Sequence, residues 1–343
     1  MSALPRVVPA PAPARVALLG TGQVGTAWLA RLQEQGAAPE LVATANTRRV
    51  SGRAAADNDL SARGQDHAEA AVRALGRGGT RILVDATASD AVAARHARWL
   101  EAGVHVVTAC KLGQGTTLAR WREIATACTV AGTRYGDSAT VGAGLPLLRN
   151  LRELQRSGER IHAIAGVLSG SLAWLCAQHD GRRPFHELLQ EAAMRGYTEP
   201  DPAEDLSGED VRRKLLILAR AAGHALEHDA VAVEPLPVDA MDARLASARA
   251  CGCQLAYVAR VQRDGQGRLA ARAGLEALPP GDPLAAGRGC DNRVAIWCDR
   301  YPEQPLRIHG PGAGAAVTAA ALMDDVLRIT RSAALSPGRP GNP

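Results

Sequence analysis

The amino-acid sequence predicts an α/β protein: a doubly wound parallel sheet first, then a second α+β domain with a mixed sheet. Three observations carry this. Apolar strand patterns alternate with helical ones from Arg15 to about Asp137. A glycine-rich turn joins the first strand to the first helix. Beyond Asp239 the text changes to short strands separated by turns. A chain of 343 residues suffices for one large domain or two ordinary ones. Hydrophobic residues make up 46% and charged ones 22%, the balance of a soluble globular protein. Aromatics are only 3%, so the core must rest on Leu, Val, Ile and Ala. The net charge of +5 comes from interspersed acids and bases, without the basic run that nucleic-acid binding calls for. No stretch has the apolar length of a signal peptide or a bilayer span, so a cytoplasmic protein with no membrane partner is expected. The seven cysteines lack paired metal-ligand spacing, Cys251 and Cys253 making only a C-x-C, and read as reduced thiols.

Residues 1–14 alternate Pro and Ala, which neither helix nor sheet accommodates, and read as a flexible tail. The first domain is expected over 15–137. "RVALLGTGQVGTAWLARLQEQG" is a strand, a turn and a helix, with Gly20, Gly22 and Gly25 in G-x-G-x-x-G spacing. Gly20 permits the tight turn, Gly22 lets backbone approach a pyrophosphate, and Gly25 lets the helix pack closely on the strand. The helix N-terminus then offers free N–H groups to phosphate. This is the context of a Rossmann-type dinucleotide site, with Gly20, Thr21, Gly22, Gln23, Val24 and Gly25 as its turn. The second strand, "ELVATAN", ends near Asn46, where an acid commonly binds the ribose hydroxyls. A neutral Asn46 followed by Thr47, Arg48 and Arg49 suits a 2′-phosphate, so NADP(H) is expected over NAD(H), with Arg48 as the contact. Two solvated arginines are the alternative. Strands follow at Arg81–Ser89 and Val104–Lys111. Ligands lie beyond the strand C-termini in such sheets, which puts Thr87, Ser89, Thr108 and Lys111 on the cofactor side. Lys111 by itself reads equally as a loop lysine.

The second domain is expected over 138–309. "ATVGAGLPLLRNLREL" gives a glycine turn and a helix from about Pro146. "IHAIAGVLSGSLAWL" gives a strand to about Leu168, then Ser169, Gly170 and Ser171 at a helix start. Those hydroxyls and N–H groups suit a substrate carboxylate, or serve as an ordinary cap. "GYTEPDPAEDLSGEDVRRKLLILARAAG" concentrates Glu199, Asp201, Glu204, Asp205, Glu209 and Asp210 ahead of Lys214. Pro200 and Pro202 make Glu199–Asp205 an extended loop. Ser207 with Asp210 spells a capping box, so a helix starts there, burying Val211, Leu215, Leu218 and Ala222. Arg212 and Arg213 point away from that stripe. Asp210 and Lys214 are i, i+4 neighbours at its edge. A solvated acidic loop and an exposed ion pair are one reading; a site for a small cationic substrate is the other. Four strand patterns follow, "CQLAYVARVQ", "RLAARAGL", "RVAIWCD" and "PLRIHG". "GPGAGAAVTAAALMDDVLRITRSAA" closes the chain with a glycine turn and a helix, residues 310–332.

Together "GTGQVG", "HVVTACK", "VGAGLPLLRNLREL", "GVLSGSLAWL", the long acidic run and "GPGAGAAVTAAAL" resemble homoserine dehydrogenase, most of all the dehydrogenase portion of bifunctional aspartokinase–homoserine dehydrogenases. The resemblance covers nearly the whole chain after Arg15, and no kinase or regulatory segment accompanies it. It implies NAD(P)H-dependent interconversion of L-aspartate 4-semialdehyde and L-homoserine in threonine and methionine biosynthesis. It further implies a homodimer built through the second domain, and a last helix packed back on the first. It makes Lys111 and Lys214 the catalytic lysines, with Asp210 positioning Lys214. Glu199, Asp205 and Tyr197 then belong to the substrate site, and Thr87, Lys111 and Gly312 line the cofactor. A monovalent cation, Na⁺ or K⁺, is implied on the carbonyls of Val141, Ala143 and Leu145. Ser138 stands where the family carries an acid for it, and Cys110 where it carries an asparagine. Another aspartate-family dehydrogenase and a nucleotide-binding pseudoenzyme are the other readings.

Overall fold

The computed structural model describes residues 13–35, 39–52, 66–198, 203–264, 266–285, 287 and 289–335. Two six-stranded sheets organise it. The first has the order β3-β2-β1-β4-β5-β6. Its strands are β1 (Arg15–Leu19), β2 (Glu40–Ala45), β3 (Val50–Gly52), β4 (Arg81–Asp85), β5 (His105–Thr108) and β6 (Tyr135–Gly136). Helices α1 (Gln23–Gln33), α2 (His67–Ala74), α3 (Asp90–Ala93), α4 (His96–Glu101) and α5 (Leu118–Ala131) cover both faces. All pairings are parallel except β2–β3. That antiparallel edge strand departs from the expected all-parallel sheet; three residues, Val-Ser-Gly, leave too little pattern to read. β4 and β5 stop at Asp85 and Thr108, before the expected Ser89 and Lys111: after β4 the Thr87 N–H turns to the Asp85 side chain, and after β5 Lys111–Gly113 coils into a 3₁₀ turn. Residues 1–12 of the expected tail lie outside the described residues. Ala14 is buried and its carbonyl takes the Glu40 N–H, so order reaches one residue earlier than expected.

The second sheet has the order β12-β11-β7-β9-β10-β8. It comprises β7 (Ile161–Val167), β8 (Val231–Val233), β9 (Gln254–Arg263), β10 (Leu269–Leu278), β11 (Asp291–Cys298) and β12 (Tyr301–Pro311). It is mixed: β8 lies parallel to β10 and the remaining pairs are antiparallel. Helices α6 (Leu147–Arg156), α7 (Gly170–Gln178), α8 (Phe185–Met194), α9 (Ala203–Leu206), α10 (Glu209–Ala221) and α11 (Met241–Ala250) pack around it. The expected extended loop through Asp205 gives way to α9 at Ala203, while residues 199–202, with Glu199 and Asp201, lie outside the described residues.

The start of α10 also differs from the expected capping box. Gly208, at φ +78°, is the cap, and the Ser207 hydroxyl bonds Glu204 O and Glu209 N. A Cβ at Gly208 would lie 2.1 Å from the Tyr257 hydroxyl, so tertiary packing fixes that left-handed residue. Val211, Leu215, Leu218 and Ala222 are buried as expected, and so are Leu216, Ile217 and Ala219–Ala221. Arg212 and Arg213, expected to point outward, are half-buried, Arg212 pairing with Glu209.

Helix α12 (Ala315–Leu335) returns to the first domain, where Ala319, Leu322, Met323, Val326 and Ile329 share a core with Val16, Leu18, Trp28, Ile82 and Val84. Gly310, expected in a turn, ends β12 opposite Asn292.

Candidate functional site

Glycines shape the end of β1. Gly20 has φ +88°, and a Cβ there would sit 2.7 Å from Ala86 O. A Cβ on Gly25 would fall 1.9 Å from Gly20 O, so the helix could not approach the turn with any side chain there. Gly22 faces open space, with nothing within 4 Å of a Cβ, and caps α1 without a side-chain bond. The first N–H groups of α1 are therefore available to an anion. Beside this turn lies a cleft of about 510 Å³ lined by Gly20, Asn46, Thr47, His67, Thr87 and Ser89, among others. This is the donor set a dinucleotide needs: bare glycine backbone for the pyrophosphate and hydroxyl and amide groups beside it.

Asn46 lies at the end of β2. Its amide donates to Thr21 Oγ1 at 2.8 Å, and its Oδ1 accepts from the N–H groups of Arg48 and Arg49. Arg48 is exposed, beside Thr47 of the cleft lining rather than in it. Thr87 donates from both its N–H and its hydroxyl to Asp85 Oδ1, at 2.9 and 2.6 Å. Ser89 caps α3. Thr108 is not on the cleft: it is fully buried, its hydroxyl turned to Asp85.

The two lysines that sequence singles out are brought together. Lys111 opens the 3₁₀ turn after β5, and Lys214 lies on α10. Asp210 Oδ1 lies 3.3 Å from Lys111 Nζ, and Oδ2 lies 2.7 Å from Lys214 Nζ. Lys214 also donates to the Leu168 carbonyl at 2.7 Å. Burial pushes the Asp210 carboxyl up, but the Lys214 and Lys111 charges outweigh it and hold the group well below the usual carboxylate range. Next to Leu168, Ser169 Oγ caps α7 at Leu172 N and meets Ser171 Oγ at 2.9 Å. Ser171 donates to Asp205 Oδ1 at 3.2 Å. Gly170 has Cys290 O 3.2 Å from where a Cβ would stand. Tyr197 is half-exposed, its ring on Trp174 at 5.1 Å. Gly312 presses on Asn292, whose Oδ1 a Cβ would meet at 1.5 Å. The structure thus joins Lys111, Asp210 and Lys214 directly, and Ser169, Ser171 and Asp205 in a second chain.

The expected cation donors look different. Asp137 is buried and bidentate to Arg152, Ser138 bonds Asp325 through both N–H and hydroxyl, and the Leu145 carbonyl accepts from Leu147 N. Ala143 has φ +49° in this turn. Among the described residues no cluster of three or more His, Cys, Asp or Glu is placed to hold a metal, and no helix is long and apolar enough to cross a membrane. All seven cysteines are free thiols.

Sequence reasoning missed the Leu168 carbonyl, Asp85, His67 and Asp325. The Leu168 carbonyl, His67 and Asp325 meet partners distant in the chain, while Asp85, a charge ending an apolar strand and bonded to nearby Thr87, left a trace.

Comparison with known proteins gives two domain matches. Residues 146–327 match the family model for homoserine dehydrogenase, and 20–135 match the model for the homoserine dehydrogenase NAD-binding domain. The bifunctional aspartokinase/homoserine dehydrogenase 2 of Escherichia coli is 41% identical over 269 residues, 73% of this chain and 33% of its own length. The chain thus spans about a third of that relative. The homoserine dehydrogenase of Emericella nidulans is 33% identical, over 73% of this chain and 76% of its own. The solved homoserine dehydrogenase of Thiobacillus denitrificans superposes with a TM-score of 0.76 at 25% identity, covering 97% of this chain and 76% of that one.

Proposed function

The chain belongs to the homoserine dehydrogenase family, and from that premise we propose that it interconverts L-homoserine and L-aspartate 4-semialdehyde with NADP(H), NAD(H) being the poorer cofactor. One observation carries the reading: two lysine side chains from different domains meet on one carboxylate, on the same side of the sheet as the dinucleotide cleft. The division of labour follows, with residues 15–137 for the nucleotide and 138–309 for the substrate.

Gly20 to Gly25 would hold the pyrophosphate, Asn46 and Arg48 the ribose end, and Thr87, Ser89, Lys111 and Gly312 the cofactor's far half. When bound, that cofactor supplies hydride to the aldehyde carbon or accepts it from the alcohol. The substrate is a zwitterion. Its ammonium group goes to the carboxylates Asp205 and Glu199, and Tyr197 serves the same substrate site. Ser171, already donating to Asp205, holds that carboxylate in place. The substrate carboxylate goes to the N–H groups opening α7, at Ser169–Ser171. Lys214 faces the reacting oxygen. An ammonium has three N–H donors; Asp210 and Leu168 take two, which leaves one. As the carbonyl is reduced, negative charge grows on oxygen, and Lys214 stabilises it and delivers the proton, with Lys111 alongside. Asp210 keeps the two cations from repelling each other out of place.

The donor set at Val141, Ala143 and Leu145 brings no carboxylate for a monovalent cation, since Asp137 and Asp325 are bonded elsewhere. Rates in K⁺ and Na⁺ are expected to match. The homodimer rests on the family resemblance and the cytoplasmic location on the reading of the cysteines and apolar stretches; light scattering tests the first. The deciding assay is homoserine-dependent reduction of NADP⁺ and NAD⁺, with and without KCl. Absence of reduction of either nucleotide overturns the proposal.

A further inference from the structure

Behind the site lies a buried polar chain that the reaction itself does not use. Asp85 ends β4 and is fully buried, as is His96 on α4. Asp85 Oδ2 lies 3.1 Å from His96 Nε2, and His96 Nδ1 lies 2.9 Å from the Tyr135 hydroxyl. The Asp85 oxygens accept from Thr87 and Thr108, and His96 Nε2 completes the set as a further donor. Burial pushes the Tyr135 phenol well up, so it keeps its proton and donates to Nδ1. Every polar group of the chain is then satisfied in one arrangement, which is the condition for such a network to be rigid.

The chain supports both halves of the site. On one side, Asp85 Oδ1 accepts from the Thr87 N–H and hydroxyl. With its proton spent on Asp85 and one lone pair taken by the Ser89 N–H at 3.3 Å, the Thr87 hydroxyl has only its remaining lone pair to present to the cleft it lines. On the other side, Thr108 donates to Asp85 Oδ2 at 3.0 Å and accepts from Cys110 N, the residue before Lys111. The turn carrying Lys111 also rests on the chain. A Cβ at Gly113 would lie 2.3 Å from Tyr135 Oη and 3.2 Å from His96 Nδ1, so only glycine seats the turn that low.

We propose that Asp85, His96 and Tyr135 are positioning residues that set Thr87 as a fixed acceptor in the cofactor cleft and fix the height of the Lys111 turn. The assignment rests on the reading of Thr87 and Lys111 given above. Displacing a reacting group by an ångström is worth up to about 100-fold in rate, so the effects belong in kinetics rather than in stability alone.

Two variant sets test the two halves. Gly113→Ala lifts the Lys111 turn, and kcat for homoserine oxidation falls about tenfold or more, a larger fold-change than that in the NADPH Kd. Adding Tyr135→Phe removes the atom nearest the new methyl, leaving His96 Nδ1 at 3.2 Å and Cζ at 3.5 Å, so the double variant recovers part of the lost kcat. A double variant no faster than Gly113→Ala, or a Gly113→Ala that lowers only Tm, overturns the Lys111 half. His96→Leu strips Asp85 of a donor, and the NADPH Kd, read by nucleotide fluorescence, rises about fivefold, a difference of roughly 1 kcal/mol. His96→Gln, which keeps a donor to Asp85, restores most of it. An unchanged Kd in His96→Leu overturns the Thr87 half. This titration needs no homoserine turnover, so it decides that half even if wild-type protein fails to oxidise homoserine and the functional reading falls.

Discussion

Replacing Lys214 with methionine isolates the charge that the reaction is proposed to need. Methionine keeps the stem's bulk and removes all three N–H donors. In the wild type, two of those donors hold Lys214 in place, against Asp210 at 2.7 Å and Leu168 O at 2.7 Å, and one is left for the substrate oxygen. Losing one preorganised donor to a developing oxyanion costs about 10²–10³ in kcat, roughly 3–4 kcal/mol. The fold loses less. The Leu168 carbonyl is left without its donor, worth roughly 1–3 kcal/mol, while Asp210 retains Lys111 at 3.3 Å. NADPH affinity stays, because Lys214 does not line the dinucleotide cleft. Steady-state NADP⁺ reduction with homoserine, run beside an NADPH fluorescence titration, separates the two. A kcat within about threefold of wild type, with Kd unchanged, would show that no donor on Lys214 stabilises the transition state.

Three further outcomes are expected. In the folded chain, burial and the neighbouring Asp137 raise the Asp325 carboxyl from 3.8 to about 6. A raised value stabilises the fold in the protonated state below pH 3.8 and loses that stability as pH climbs through about 6. Asp325→Asn escapes the loss, so its stability relative to wild type improves between about pH 4.5 and pH 8, by on the order of 2–3 kcal/mol in urea unfolding; an equal difference at both pH values refutes this. Arg48→Ala should lower kcat/KM for NADPH about tenfold while leaving NADH nearly unchanged, since a phosphate loses its charge-assisted partner; wild type with no preference between the nucleotides sinks the idea. Gly22→Ala has open space around the new methyl and should fold normally but bind NADPH at least tenfold more weakly, by roughly 1.4 kcal/mol, through the lost close approach. Gly25→Ala, clashing with Gly20 O at 1.9 Å, should lose Tm as well; a wild-type Kd in Gly22→Ala refutes the pyrophosphate placement.

Which parts of this site were legible depends on how far apart in the chain the interacting groups lie. The turn from Gly20 to Gly25 is local, and each glycine's reason is steric, so spacing alone predicts it. The Asp210–Lys214 pair is one helical turn and equally readable. Lys111 could be read as a loop lysine because its partner, Asp210, arrives from the other domain. The capping box shows a local rule overruled. Ser207 and Asp210 spell it, but Tyr257 packs against Gly208 and fixes that glycine left-handed as the cap, one residue later. Asp210 is thereby released from capping.

That release has a chemical consequence. A carboxylate turned back to the Ser207 N–H would be drawn away from the two ammonium groups it now bridges, and the charges of Lys111 and Lys214 would be less closely opposed. At about 4 Å two like charges repel by roughly 4 kcal/mol near a protein surface, enough to swing either flexible side chain into water. The left-handed cap at Gly208 is therefore part of the proposed catalytic arrangement although it touches no reactant. Filling it should be felt as loss of turnover at Lys214 before it is felt as loss of fold. Gly208→Ala meets the Tyr257 hydroxyl at 2.1 Å and Val233 Cγ1 at 2.7 Å, so it is paired with Tyr257→Phe and Val233→Ala, which remove both overlaps while keeping the positive φ strained. If the triple variant recovers Tm yet remains slow, the backbone angle sets Asp210; if it recovers both, the side-chain overlaps alone were at fault.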